Sequence, residues 1–285
     1  SVHKADCEQL ISAWKNKAIV FAAMFNQRTD PVYQKLRQLI QNGELGKIER
    51  INWIITDWYR TESYYRSGDW RATWGGEGGG VLLNQCPHNL DLLQWLFGMP
   101  SKVTANCQFG RFHNIEVEDA VTALLEYPDG ATGVFITTTG EAPGTNRLEV
   151  AADRGKVVIE NRKFTFYRTE EPVSTHLANA ENGFNKPDIW TVEIPIDGSA
   201  EQHVGIMKNF TEAILDKAPL LAPAPEGIHS VELANAMLYS AFENTPVELP
   251  MDAEAYLAVL KKKIAESTYV KPESTGAVAD LSGTY

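Results

Sequence analysis

The stretch GGEGGGVLLNQCPHNLDLLQWLFG, residues 75 to 98, sets a histidine and an aspartate three positions apart behind five glycines. Three residues is close to one helical turn, so His88 and Asp91 share one side of any helix that carries both. An imidazole next to a carboxylate can have its tautomer fixed and can take or give a proton near neutral pH. A histidine that only caps a helix start is the competing reading of the same spacing. Asn84 joins that side if the helix begins before it and bends at Pro87. If Pro87 is instead a first-turn residue, Asn84 belongs to the lead-in.

The glycines do not read as a phosphate loop. A dinucleotide loop needs GxGxxG directly after a hydrophobic strand, and here Gly76-x-Gly78 meets Val81 in the third place, behind the polar WRATW. A Walker loop would end in Gly-Lys-Ser/Thr, which is absent. The expected role of the glycines is to let backbone lie close to a flat ligand and turn sharply into the following helix. Cys86, His88, Asp91 and His113 do not make a metal set, because Cys86 and His88 are two apart and diverge on a helix, and no HxxxH pair occurs.

The elements that must position these residues have two textures. Up to about residue 98 the pattern predicts a helix over 4–16, an apolar strand in AIVFAAMF (18–25), and a helix opened by Asp30 and Pro31 and ended by Gly43 and Gly46. A strand in KIERINWIITDW follows, and after the aromatic, polar segment 59–74 comes the glycine-led helix. From Val103 onward come seven strand candidates: VTANCQFG, DAVTALLEY, ATGVFITTTG, NRLEVAA, KVVIEN, KFTFYR and IWTVEIPI. Turns as short as PDG and DRG force antiparallel pairing, since a parallel crossover takes about a dozen residues or more. Three amphipathic stretches, HVGIMKNFTEAILDK, EGIHSVELANAMLYSAFEN and DAEAYLAVLKKKIAE, predict helices that pack on the sheet, and the tail after Pro272 reads as an extended arm.

Composition excludes several function classes. The chain has 285 residues and a formal net charge of -11, with its 26 basic residues scattered, so it would repel a nucleic acid. Its apolar runs fall short of the roughly 20 residues of a membrane helix and its start lacks a signal-peptide pattern, so a soluble cytoplasmic protein is expected. Three cysteines without CxxC spacing indicate neither a disulfide framework nor a cysteine zinc site. His113, His176, His203 and His229 read as ordinary surface or capping residues.

GGGVLLNQCPHNLDLLQWLFGMP, preceded by Trp70 and Arg71, is similar to the signature of the glucose-fructose oxidoreductase, inositol dehydrogenase and rhizopine catabolism (Gfo/Idh/MocA) family. The likeness extends to NQRTDPVYQKLRQLIQNGELGKI, VEDAVTALLEYPDGATG and HSVELANAMLYSAFENTPVELP, in the same order along the chain. It implies an N-terminal Rossmann domain that binds NAD or NADP and a C-terminal open sheet that carries substrate and the contacts of a homo-oligomer, dimer or tetramer. It also implies that His88 is the catalytic acid and base during hydride transfer, that Asp91 holds it, and that Trp70 and Arg71 reach the cofactor. Asn84 stands where the family often has aspartate, so it can bond a substrate hydroxyl but cannot relay a proton. A sugar, cyclitol or related polyol would suit Tyr59, Arg60, Tyr65 and Arg66, together with Trp58 and Tyr64, because rings pack on C–H faces and guanidiniums donate to hydroxyls.

The chain departs from the family in having no GxGxxG and no Glu-Lys-Pro. The expectation is therefore an α+β fold: a large open, mainly antiparallel sheet with helices on one face, plus a remnant of a Rossmann domain. Residues 1–25 would be that remnant, its last helix and strand, and residues 26–285 the substrate-binding and oligomerisation domain. Such a chain would be inactive alone. The alternative is a non-catalytic sugar-binding or oligomerisation module.

Overall fold

The structure is a computed structural model that describes residues 1–272, so the expected arm after Pro272 lies outside the described residues. Helix α1 (Lys4–Ala13) starts where the His3 side chain accepts from the Asp6 amide. Its Lys4 is buried and donates to Glu232 Oε1 at 2.7 Å and to the Met251 carbonyl at 2.7 Å, which ties the first helix to the last third of the chain. The expected strand over 18–25 does not form. That stretch makes one isolated bridge, Ala22 to Pro223, and leaves Ile19 58% exposed. Without a parallel partner among the described residues, an apolar run has no ladder to join, and the segment runs extended into a 3-10 turn, Asn26–Thr29.

Helix α2 (Pro31–Gln41) has Asp30 as N-cap, accepting from the Val32 amide at 2.9 Å, and buries Val32 and Leu36. Strand β1 (Ile48–Ile55) follows, then the short helices α3 (Glu62–Arg66) and α4 (Val81–Asn84), and then α5 (Pro87–Phe97). The strands β2 (Lys102–Phe109), β3 (Glu118–Glu126), β4 (Thr132–Thr138), β5 (Asn146–Ala152), β6 (Gly155–Glu160) and β7 (Lys163–Thr169) stand where the turn signals put them. After α6 (Val173–Asn179) come β8 (Ile189–Ile194), α7 (Gln202–Leu215), α8 (Gly227–Glu243), β9 (Val247–Glu248) and α9 (Ala253–Glu266).

The strands form one nine-stranded sheet in the order β8-β7-β6-β5-β1-β4-β3-β2-β9. Every pairing is antiparallel except β1 with β4, which is parallel. Strands β4 and β5 are consecutive but not paired, because β1 inserts between them and the 139–145 connection must pass its end. There the Thr56 amide bonds the Thr145 carbonyl at 2.7 Å, and a Cβ on Gly144 would lie 2.3 Å from the Thr56 carbonyl oxygen, so that crossing needs glycine. Trp53 of β1, fully buried, packs on Phe135 and joins the two halves of the core. Alternation sends Val121, Ala123 and Leu125 inward while Leu124 is 45% exposed, so one face carries the core and the other is open.

Candidate active site

The glycine stretch cradles an anion, but the anion belongs to the protein. Glu118 of β3 is fully buried and accepts the amides of Gly80 at 2.8 Å and Leu82 at 3.0 Å, at the start of α4. A Cβ on Gly80 would lie 2.0 Å from the Glu118 carbonyl oxygen, and one on Gly76 would lie 2.4 Å from the Trp70 carbonyl oxygen. The glycines therefore serve close approach to their own chain, which corrects the expectation of a flat ligand against them.

Burial raises the Glu118 carboxyl to about 7, against the pull of its two amide donors. A carboxyl raised in the folded state binds its proton there and not in the unfolded chain between its ordinary value and about 7. Stability therefore falls as pH rises through that window. The unfolding free energy of the wild type should decline between about pH 5 and pH 8, by on the order of 2–4 kcal/mol at most, and thermal midpoints should fall with it. Glu118→Gln should flatten the decline, and an unchanged slope in that variant would assign it to another group.

Pro87 is the first-turn residue of α5, so Asn84 ends the lead-in helix α4 and His88 sits in the first turn beyond the break. The His88 ring stands edge-on to Phe25, centroids 6.1 Å apart, and its Nδ1 is buried with no hydrogen-bond partner. Burial first, and the charge of His203 second, lower its pKa. Asp91 does not orient this histidine, contrary to expectation. Its two oxygens accept from Arg28, Nη2 at 2.6 Å and Nε at 2.8 Å, and Oδ1 also accepts from Gln94 at 3.0 Å. A guanidinium offers two parallel charged donors where a neutral imidazole offers one, so the carboxylate turns to the 3-10 turn packed beside α5.

His88 opens into a pocket of about 320 Å³ whose wall comes from five separated segments: Asn26 and Gln27, Trp58 to Tyr64, Trp70 and Arg71, Asn84 to His88, and Gln202. The Tyr64 ring lies between two guanidiniums, with Arg71 4.4 Å and Arg60 5.1 Å from its centroid, and Arg71 also stacks on Trp70 at 4.4 Å. The Tyr64 hydroxyl donates to Asn84 Oδ1 at 3.0 Å and accepts from Arg71 Nη1 at 2.7 Å. Asn84 Nδ2 donates to the buried Glu77 carboxylate. Half of the buried side-chain polar atoms left without a partner among the described residues belong to residues that line this one pocket: Nε of Arg60 and of Arg71, Trp58 Nε1, His88 Nδ1, Asn26 Oδ1 and Gln85 Oε1. Leaving such groups unpaired costs about 1–3 kcal/mol each, so their convergence marks a place built for a polar ligand that both donates and accepts. A larger depression of about 560 Å³, lined by Ala151, Lys156, Tyr167 and Ile189 among others, holds no histidine.

Three of the expected substrate residues lie outside the pocket lining. Tyr65 is buried, bonds Thr139 Oγ1 at 2.7 Å and packs against the Tyr64 ring, so it supports the wall from within the core. Arg66 closes α3 by donating to the Glu62 carbonyl, and Tyr59 is 52% exposed. Their neighbours Arg60, just ahead of α3, and Tyr64 line the pocket; within α3 successive residues turn to different sides. His113, expected as a surface residue, is buried: its Nδ1 lies 3.1 Å from Asp119 Oδ2 and its Nε2 2.9 Å from the Arg60 carbonyl oxygen. Both ring nitrogens face acceptors, which only the doubly protonated ring satisfies. Burial opposes that charge, but Asp119 and the Arg60 carbonyl outweigh it and raise the pKa. Asn26, Gln27 and Gln202 had no signal in the sequence, since amides at isolated positions have no periodicity and reach the site only through the packing of α7 on the 3-10 turn.

Comparison with known proteins finds relatives in sequence and neighbours in fold. Residues 33–158 match the family model of the GFO/IDH/MocA C-terminal domain. An uncharacterized oxidoreductase of Schizosaccharomyces pombe is 23% identical over 288 residues, covering 96% of this chain and 71% of that protein. Inositol 2-dehydrogenase of Rhizobium meliloti is 23% identical over 248 residues, covering 85% of this chain and 68% of that protein. The fold matches that of the WlbA dehydrogenase from Bordetella pertussis, solved with NADH and UDP-GlcNAcA, at a TM-score of 0.70 and 23% identity over 88% of this chain and 70% of that one. It also matches levoglucosan dehydrogenase, solved with NADH and levoglucosan, at a TM-score of 0.71 and 20% identity over 88% and 72%. Among the described residues no helix is long and apolar enough to cross a membrane, and no group of three metal-ligating side chains converges.

Proposed function

We propose, for a chain that carries the C-terminal domain of the Gfo/Idh/MocA family, that it forms the substrate side of an NAD(P)-dependent oxidoreductase acting on a sugar, cyclitol or related polyol, with His88 as acid and base. The observation that carries this reading is the pocket in which His88 Nδ1 shares a wall with unpartnered donors and acceptors. A polyol hydroxyl can accept from one and donate to another, and the Trp58 and Tyr64 rings suit its C–H faces. Relatives named inositol dehydrogenase and neighbours solved with NADH and sugars support the same class.

The bound nicotinamide would supply the hydride acceptor or donor. The residues present fit such a group next to His88: Trp70 offers a half-exposed indole, and Arg71 a guanidinium whose buried Nε has no partner. No GxGxxG occurs in these 285 residues, so we assign them the substrate rather than the dinucleotide phosphates. In the oxidation direction His88, kept neutral by burial, takes the proton from the reacting hydroxyl as its carbon becomes a carbonyl carbon. In reduction the imidazolium returns it. Asn84, held by Tyr64 and Glu77, can bond a neighbouring hydroxyl but relays no proton. Asp91 and Arg28 hold α5 against the 3-10 turn, and so act on His88 only through the backbone.

The test is nicotinamide reduction, followed by absorbance, with a panel of cyclitols, aldoses and alditols and with both NAD⁺ and NADP⁺. It is run on this chain and on the longest polypeptide encoded in frame with it. Turnover of at least one polyol is expected. Polyol binding without turnover in either polypeptide would point to the non-catalytic sugar-binding module instead.

A further inference from the structure

The charge of the pocket is opposite to that of the protein. The chain has 37 acidic residues against 26 basic ones, yet the pocket wall holds Arg60, Arg71 and His88 and no carboxylate. Some guanidiniums elsewhere pair with acids, Arg28 with Asp91 and Glu226, and Arg50 and Arg147 with Glu149. Two acids close to the pocket arginines, Glu62 and Glu77, are engaged by amide donors. Glu62 accepts the Asn114 amide at 2.8 Å, and Glu77 accepts the Ala72 amide at 2.7 Å and the Asn84 amide group. Arg60 is also fixed at its backbone from both sides, its N–H on the Thr139 carbonyl at 2.9 Å and its carbonyl on His113 Nε2 at 2.9 Å. The guanidinium donates its Nη1 to the Tyr59 carbonyl at 2.9 Å, its Nε is buried without a partner, and among the described residues no acid pairs with it.

We propose that the pocket selects polyhydroxylated ligands that carry an anionic group, a carboxylate or a phosphate, and that Arg60 is the residue that recognises this group. The inference rests on reading the pocket as a polyol site and narrows its substrate class from neutral polyols to acidic ones. A carboxylate or phosphate matches the forked donors of a guanidinium, and it gains more there than in water because the wall excludes solvent from one side of Arg60. Arg71, already donating to the Tyr64 hydroxyl, adds positive potential from across the same ring.

Calorimetric titration of the full chain with glucose, glucuronate, glucose 6-phosphate and NAD⁺ separates the outcomes, because the first three differ only in the group at one carbon. At least one acidic sugar should bind about tenfold or more tighter than glucose, with an affinity that falls as salt is added. Arg60→Ala should cost the acidic sugar about tenfold or more beyond what it costs glucose, and Arg60→Lys should restore part of the preference. Preference for glucuronate or for glucose 6-phosphate identifies the anion. Equal binding of glucose and both acids overturns the inference and leaves the polyol reading standing. A loss confined to NAD⁺ in Arg60→Ala overturns it by giving the charge to the dinucleotide. Failure of every sugar to bind overturns the inference and the polyol reading together. Circular dichroism of each variant checks that the fold is intact.

Discussion

Replacing His88 with alanine is expected to lower kcat for polyol oxidation by about 10²- to 10⁴-fold with little change in KM, the range of a lost general base. The residue has little structural work to confound this. Its Nδ1 has no partner to lose, and its ring makes an edge contact with Phe25 that alanine removes without leaving a buried charge. Steady-state rates on the wild type and His88→Ala, with a thermal melt as control, give the number. The pH profile gives a second readout. Burial and His203 lower the His88 pKa, so the acid limb of kcat/KM for oxidation should lie below the ordinary histidine value and should vanish in the variant. A variant within about twofold of wild type in kcat would remove His88 from the chemistry.

The sheet was legible because its signals are local. The strands from Lys102 to Thr169 are short apolar runs set off by turn signals, β3 to β5 with alternating burial, and the structure keeps these boundaries within a residue or two. The insertion of β1 between β4 and β5 was not legible, since nothing within a strand records which non-local partner it takes. Helix α6 buries no residue and so has no apolar stripe to read, and the 18–25 run has the composition of a buried strand without a ladder to complete. In the site the divide is the same. His88, Asn84, Arg60, Trp70 and Arg71 lie in or beside dense segments of ring, charge and glycine, and the structure brings all of them to one pocket. The pairing of His88 with Asp91 was inferred from helical spacing alone. Spacing says that two side chains share a side of the helix, and not which outside group competes for one of them.

Removing that competing partner tests the role that replaces the expected one. Arg28 is 0% and Asp91 1% exposed, and two charged hydrogen bonds join them, with Glu226 and the Leu221 carbonyl on the remaining guanidinium face. Burial opposes both charges: on Arg28, Asp91 and Glu226 outweigh it and raise the pKa, while on Asp91 burial outweighs Arg28 and Gln94 and raises the carboxyl. Asp91→Ala would leave a buried guanidinium with half of its compensation, at an expected cost of about 3–5 kcal/mol, and Arg28→Ala would strand the carboxylate at a similar cost. Replacing both, Asp91→Leu with Arg28→Met, should cost less than the two single losses combined, because no unpaired charge remains. Urea denaturation of the four proteins measures the coupling. The kinetic readout separates this role from orientation of His88. If Asp91 only anchors α5, the double variant below its melting temperature keeps kcat within about tenfold of wild type. If it fixes the imidazole, Asp91→Asn should cost orders of magnitude in kcat under conditions where the variant is folded, beyond the stability it loses by neutralising the partner of Arg28. That second result would return Asp91 to the catalytic machinery, from which its two bonds to Arg28 now remove it.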